Sequence, residues 1–269
     1  MKRYIMGISE AGRAASKRRP LRLARREART SPKNKYIIGI DEVGRGCLAG
    51  PVYVAAVAMP EQYRVLDIRH QDGKILKLKD SKQLSASHRE AWFACFKDHP
   101  KIRWAVARVG PTVIDRINIS RAANRAALAA LKRLCHASCI TYQDLSFRDY
   151  RICLDGGLCL GNSSKQEIHK KGITVSILRK SAWSPSLPVF TIVKGDEKIP
   201  AIAAASIMAK VSRDRAMRRL AKKYPHYGLE VHKGYGTKRH YAALQKHGPS
   251  EIHRLTFAGK YHRIDSVRW

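Results

Sequence analysis

YIIGIDEVGRGCLAGPVYVAAVAM, residues 36–59, decides how the rest of this chain is read. A short apolar run rich in Ile ends in two adjacent carboxylates, Asp41 and Glu42. A glycine-flanked arginine (Gly44, Arg45, Gly46), a turn at Gly50 and Pro51, and a second β-branched run follow. Apolar runs bounded by Gly and Pro are the sequence form of strands closed by turns, so the carboxylates sit where the first strand ends. Two like charges about 4 Å apart repel by roughly 1 to 4 kcal/mol unless a cation neutralises them. Hard divalent cations take oxygen ligands and suit that task. Taken alone, the dipeptide reads first as exposed charge at a loop. Gly44 and Gly46 let backbone approach a ligand and turn successive N–H groups toward an anion, while Arg45 is a forked donor for phosphate. A flexible turn is the plainer reading of Gly-Arg-Gly by itself. Together the two features point to a metal site beside a phosphate site.

Composition agrees with that pairing. The 269 residues carry 53 Lys and Arg against 21 Asp and Glu, a formal net charge of +32, which implies a polyanionic partner such as nucleic acid. A hydrophobic content of 44% supports a real core. No run of 18 apolar residues occurs, so no membrane span and a cytoplasmic location are expected. Residues 1–34 hold eleven Lys or Arg and two acids and read as a basic, disordered, nucleic-acid-binding tail. An organelle transit peptide has the same texture. Without the tail the charge is still +23, so the body is basic in its own right.

The predicted body runs over residues 35–224, with a C-terminal substrate-contacting loop and helical region at 225–269. Residues 62–79 read as a polar loop, and Ser85 as the N-cap of a helix over 86–98. A third strand at 102–109 completes an antiparallel meander, and helices follow at 112–118 and 120–134. A fourth strand, 151–155, comes after a long helical crossover and is therefore predicted parallel to the first. Asp155 then lies beside Asp41, since neighbouring strands are about 4.8 Å apart and one divalent ion can bridge both. Without that topology, Asp-Gly-Gly is a turn signal. Another strand at 189–193 leads to Asp196 and a long helix over 201–222. Asp214 reads as a structural acid paired with neighbouring Arg. Tyr235, between Gly234 and Gly236, reads as an exposed ring, with a buried core tyrosine as the alternative.

DEVGRGCLAGP (41–51) resembles the signature of the type 2 ribonucleases H, the ribonuclease HII family. The resemblance continues through DSKQLS (80–85), LDG (154–156), VKGDEKIPAIAAASIMAKVSRD (193–214) and HYGLEVHKGYGTKRH (226–240), and covers roughly residues 36 to 257. It implies an α/β, ribonuclease H-like fold: a five-stranded mixed sheet flanked by helices, then a small helical C-terminal region. It implies an endonuclease that hydrolyses the RNA strand of RNA/DNA hybrids and cuts 5′ to ribonucleotides embedded in DNA, leaving 5′-phosphate and 3′-hydroxyl ends. Asp41, Glu42, Asp155 and Asp196 would hold two Mg²⁺ or Mn²⁺ ions. Gly44, Arg45 and Gly46 would read the 2′-hydroxyl, Lys82 would contact phosphate, and Tyr235 would stack on the sugar at the RNA–DNA junction. A monomer is expected. One departure is the 41 positions between Asp155 and Asp196, longer than the family's usual join, with an extra strand predicted at 173–178.

Alternatives stay open at this point. Type 3 ribonucleases H usually carry Lys where this chain has Arg45. A non-catalytic basic binder would use body and tail alone, although acids facing phosphate would serve it poorly. A zinc site near Cys135, Cys139, Cys153 and Cys159 is conceivable, but the spacing matches no standard pair. The eleven histidines read as solvent-exposed or as nucleic-acid contacts.

Overall fold

The structure, a computed structural model, describes residues 6–8, 36–64, 66–70, 73–138, 150–160, 173–178 and 187–258. Its strands are β1 (Met6–Ile8), β2 (Tyr36–Val43), β3 (Val52–Pro60), β4 (Leu66–Arg69), β5 (Ile75–Lys77), β6 (Arg103–Val109), β7 (Tyr150–Asp155), β8 (Ile173–Leu178) and β9 (Leu187–Ile192). Its α-helices are α1 (Ala86–Asp98), α2 (Pro111–Ile117), α3 (Ile119–Ala137), α4 (Gly195–Lys198), α5 (Pro200–Lys223), α6 (Leu229–His232), α7 (Lys238–His247) and α8 (Leu255–Ala258). None of these helices is long and apolar enough to cross a membrane.

β3 explains the layering. All nine of its residues are buried, so both faces of the strand are covered. Val52, Val54, Ala56 and Ala58 meet the alanine face of α3, including Ala123, Ala126, Ala127 and Ala130. The alternate residues Ala55, Val57 and Met59 meet Trp92 and Phe96 of α1 and Ala204, Ala205 and Met208 of α5. A third cluster joins Leu48 and Ala49 to Met217 and Ala221 of α5 and to Tyr227, Leu229, Leu244 and Ile252, so the C-terminal region packs on the far half of α5.

The main sheet runs β6-β3-β2-β7-β9-β8. β6, β3 and β2 form the antiparallel meander, and β7 and β9 are parallel to β2. These five strands are the expected mixed sheet. The insertion extends it to six: β8 pairs antiparallel with β9 at the edge, as the extra strand predicted there requires. Ser85 caps α1 by accepting from the His88 N–H at 3.2 Å.

Two expectations need correction. Residues 62–79 are not simply a loop: β4 and β5 form a hairpin whose Leu66, Ile68 and Leu76 are buried, a short period-two pattern masked by flanking charge. Met6–Ile8, inside the segment expected to be disordered, pairs antiparallel with β4, where three apolar or small residues meet a strand edge. The rest of that basic tail lies outside the described residues.

Gly39 permits the tightest contact between sheet and helix. A Cβ there would lie 2.1 Å from the Ala201 carbonyl carbon at the start of α5, and backbone cannot step aside as a side chain can. Gly39→Ala is therefore expected to destabilise the fold by at least about 2 kcal/mol, measured by urea denaturation. An unchanged midpoint would mean that α5 does not need this approach.

Candidate active site

Parallel pairing brings the acids together. Ile40 is opposite Leu154 in the β2–β7 register, so the next residues are neighbours on the same side, Asp155 ending β7 and Asp41 two positions before the end of β2. β7 pairs in turn with β9, after which Lys194 adopts a left-handed conformation (φ 53°) and turns the chain into α4. The Gly195 N–H donates to Asp155 Oδ1 at 2.7 Å, which ties the Asp196 turn to the end of β7 despite the long insertion. Residues 161–172 and 179–186 of that insertion lie outside the described residues.

Asp41 and Asp196 are both buried. Burial, then the charges of Glu42 and Asp155, push the Asp41 carboxyl well above its ordinary range. Burial, followed by Asp80 and Asp155, raises Asp196. Burial also raises Glu42, against the opposing pull of Arg45. Such mutual destabilisation of carboxylates is what a bound cation relieves. Glu42 Oε2 is buried with no hydrogen-bond partner, an orphaned oxygen of the kind a metal satisfies. The donors are carboxylate oxygens, which suit hard ions such as Mg²⁺ or Mn²⁺. Among the described residues no three His, Cys, Asp or Glu side chains are gathered closely enough to enclose an ion as they stand. Two side-chain cations take the counter-charge role instead: Arg45 Nη1 lies 3.0 Å from Glu42 Oε1, and Lys82 Nζ lies 3.9 Å from Asp196 Oδ2. The donor set fits a divalent ion, and holding one requires these acids to draw together.

The loop after β2 is gripped from behind by two fully buried arginines. Arg254 donates through Nη2 to the Gly44 carbonyl (2.7 Å), through Nη1 to that of Arg45 (2.8 Å) and through Nε to that of Gly50 (3.0 Å). Arg213 donates to the carbonyls of Pro51, Lys233 and Ala49 at 2.9 to 3.2 Å. A trans peptide sets its N–H opposite its C=O, so the amides of Arg45 and Gly46 face away from Arg254. Gly44 is required for its φ of +87° and because a Cβ would lie 2.2 Å from Arg213 Nε. Gly46 has nothing within 4 Å of a Cβ position and borders open space. The Arg45 side chain is itself engaged, with Glu42, with the Gly157 carbonyl (3.2 Å) and with Ser120 Oγ (3.0 Å).

Of the remaining expected contacts, Lys82 is 83% exposed over the acids. Tyr235 is 37% exposed, and its backbone bridges antiparallel to Cys47, directly after Gly46. Burial pushes its phenol up to about 12, so it stays protonated. The structure thus brings Asp41, Glu42, Asp155, Asp196 and Lys82 to one place and sets Gly44, Arg45, Gly46 and Tyr235 beside it. Asp214 pairs with Lys210 (3.0 Å) rather than with an arginine. Cys135 and Cys153 are buried thiols pushed up to about 11, and Cys139 lies outside the described residues.

Comparison with known proteins agrees with this geometry. The family model described as Ribonuclease HII matches residues 38–260. The chain belongs to the ribonuclease HII family. It is similar to the ribonuclease HII of Bacillus mycoides strain KBAB4, 40% identical over 223 residues that cover 83% of this chain and 69% of that one. The ribonuclease HII of Bacillus cytotoxicus is 39% identical over 83% of this chain and 68% of its own. Solved structures with the same fold include the ribonuclease H2 from Pyrococcus horikoshii OT3 (TM-score 0.55, 22% identity, 85% of this chain and 99% of that one). Bst-RNase HIII in complex with Mn²⁺ is another (TM-score 0.55, 19% identity, 88% and 72%). As a ribonuclease HII, the protein is a ribonuclease H, an endonuclease that degrades the RNA strand of RNA/DNA hybrids.

Several residues of this ribonuclease HII were not singled out by sequence reading. Asp80 entered only as the first residue of the DSKQLS motif, yet it is buried and acts electrostatically on Asp196. Arg213 and Arg254 carry no local signal, because their partners are carbonyls distant in sequence. The expectation that the histidines are exposed is corrected for His232, His240 and His253, which are buried behind Tyr235. Burial holds His240 and His253 down to about 4.

Two outcomes follow from these contacts. Arg254→Met leaves three loop carbonyls without their donor and is expected to cost about 3 kcal/mol or more, read from urea midpoints. A group whose pKa is depressed by folding contributes fully above its ordinary value and loses that contribution as pH falls through the folded one. Stability should therefore drop between about pH 6.5 and pH 4 through His240 and His253, against the opposite trend of the raised Asp41 and Asp196. The drop should be shallower in His253→Gln, and an equal slope in the two proteins would refute the assignment.

Proposed function

We propose that this ribonuclease H also cuts 5′ to single ribonucleotides embedded in duplex DNA, and that Asp41, Glu42, Asp155 and Asp196 hold two divalent ions for the reaction. The observation that carries the reading is the parallel pairing of β2 with β7, which sets Asp41 and Asp155 side by side with the Asp196 turn against them. When bound, Mg²⁺ or Mn²⁺ supplies Lewis-acid chemistry, favouring a nucleophilic water and stabilising the departing 3′ oxygen.

The chain's own residues supply binding and orientation. Lys82, exposed beside Asp196, is placed to meet a backbone phosphate. A cleft of about 390 Å³ opens next to Asp80 and Asp196, and Arg64, Lys77, Lys79 and Lys198 line it, a basic rim for a polyanionic strand. The outward amides of Arg45 and Gly46, bordering the open space at Gly46, suit an oxygen of the ribonucleotide such as its 2′-hydroxyl. The half-exposed ring of Tyr235 suits stacking on the adjoining sugar. No protein nucleophile is needed, and the products are a 5′-phosphate and a 3′-hydroxyl.

The test is cleavage of an end-labelled duplex with one ribonucleotide in DNA, beside a long hybrid, with Mg²⁺, Mn²⁺ or EDTA. A cut 5′ to the lone ribonucleotide in either metal, and none in EDTA, is expected. Cleavage of the long hybrid alone would sink the embedded-ribonucleotide reading. Asp41→Asn should lower turnover by roughly a thousandfold or more. The same change removes a charge that burial and its neighbours disfavour, so the urea midpoint should hold or rise. A near-normal rate would remove Asp41 from the site.

A further inference from the structure

His232, His240 and His253 lie outside the acidic site and take no part in the reaction as derived above. The His240 ring stacks on His232 with centroids 4.4 Å apart, and the Tyr227 ring lies 4.6 Å from His253. Each ring nitrogen has a partner that fixes its role. The Ser250 N–H donates to His253 Nδ1 at 3.0 Å, so that nitrogen is bare and the His253 proton sits on Nε2. His253 Nε2 is 3.1 Å from His240 Nε2. His240 Nδ1 is 3.0 Å from the Tyr235 carbonyl, which can only accept, so His240 carries its proton on Nδ1 and accepts on Nε2. His232 is fixed in the same way: Gly234 N–H donates to its Nδ1 (3.2 Å), and its Nε2–H donates to the Tyr227 carbonyl (2.7 Å).

The bonds therefore run in one direction, from the Ser250 amide through His253 and His240 to the Tyr235 carbonyl. A second proton on His240 would set N–H against N–H and break the sequence. The charged groups acting on this cluster, Glu230 and Lys233 beside α6 and Arg239 of α7, act on His232; the field at His240 and His253 comes from the other histidines. Tyr235 is held at both of its peptide groups: its N–H donates to the His232 carbonyl at 3.0 Å, and its carbonyl accepts from the Thr237 N–H at 2.9 Å as well as from His240. The neighbouring Gly234 carbonyl accepts from the amides of Leu48 (2.8 Å) and Ala49 (3.3 Å), which links the same turn to the loop after β2.

We propose that His253 and His240 are positioning residues for substrate binding: their hydrogen-bond relay fixes the backbone of Tyr235, and with it the pose of the ring beside Gly44–Cys47. The inference rests on the reading of Tyr235 as the ring that meets the substrate sugar.

The test compares Tyr235→Ala, His240→Phe and His240→Asn in the full chain, with kcat and KM measured on the single-ribonucleotide duplex. Phenylalanine keeps the ring but cannot donate to the Tyr235 carbonyl, whereas the asparagine amide places an N–H near the position of Nδ1. His240→Phe should raise KM on the order of five- to tenfold with kcat within about twofold, and His240→Asn should recover most of the loss. If Tyr235→Ala raises KM but His240→Phe does not, the relay is wrong and the role of Tyr235 stands. If Tyr235→Ala leaves KM unchanged, the reading of Tyr235 fails and the relay's part in binding fails with it. Side-chain ¹⁵N NMR of the unaltered chain needs no variant to fold. It should place the proton on Nδ1 of His240 and on Nε2 of His232 and His253, and averaged or reversed tautomers would overturn the relay.

Discussion

Two buried guanidinium groups that form no ion pair with a carboxylate among the described residues organise this protein. Arg213 and Arg254 are solvated by six backbone carbonyls, five of them from residues 44–51. Desolvating a cation is expensive, and only a dense set of dipoles offsets it. The loop supplies that set by turning its oxygens inward, which the positive φ of Gly44 and Gly50 makes possible. Its amides at Arg45 and Gly46 then face the other way. The same interaction thus joins α5 and the C-terminal region to the loop and sets the direction of the amides on its opposite face.

The acidic site has the opposite economy of charge. Asp41, Glu42 and Asp155 crowd near the ends of parallel strands with Asp196 and Asp80 beside them, in a chain of net charge +32, and burial raises Asp41, Glu42 and Asp196 further. Arg45 and Lys82 neutralise part of it without filling it, since Glu42 Oε2 still lacks a partner. A protein seeking stability alone would replace one of these acids. In the function proposed above, their place beside a basic rim is a store of affinity for divalent ions in contact with a polyanion.

The sheet and the acidic residues were legible in the sequence because each depends on near neighbours. The Ile and Val runs fix β2 and β3, and the helical crossover fixes β7 as parallel, so the meeting of Asp41 and Asp155 follows. The β4–β5 hairpin was lost because its apolar positions are few and flanked by Lys and Arg. Arg213 and Arg254 were hidden for a different reason. In a chain with 53 basic residues, nothing local separates an arginine that dissolves in solvent from one that dissolves in carbonyls. The buried histidines were misread on the same ground, since polar loop composition conceals what packs behind it.

The bond from Arg254 to the Gly44 carbonyl spans 210 positions of sequence. Every acid of the site precedes residue 200, yet three carbonyls of the loop beside them are held by residue 254. Contacts so far apart in sequence cost more loop-closure entropy than local ones. A chain that stopped short of residue 254 would carry every acid of the site but lack three of the six guanidinium–carbonyl bonds that shape the loop.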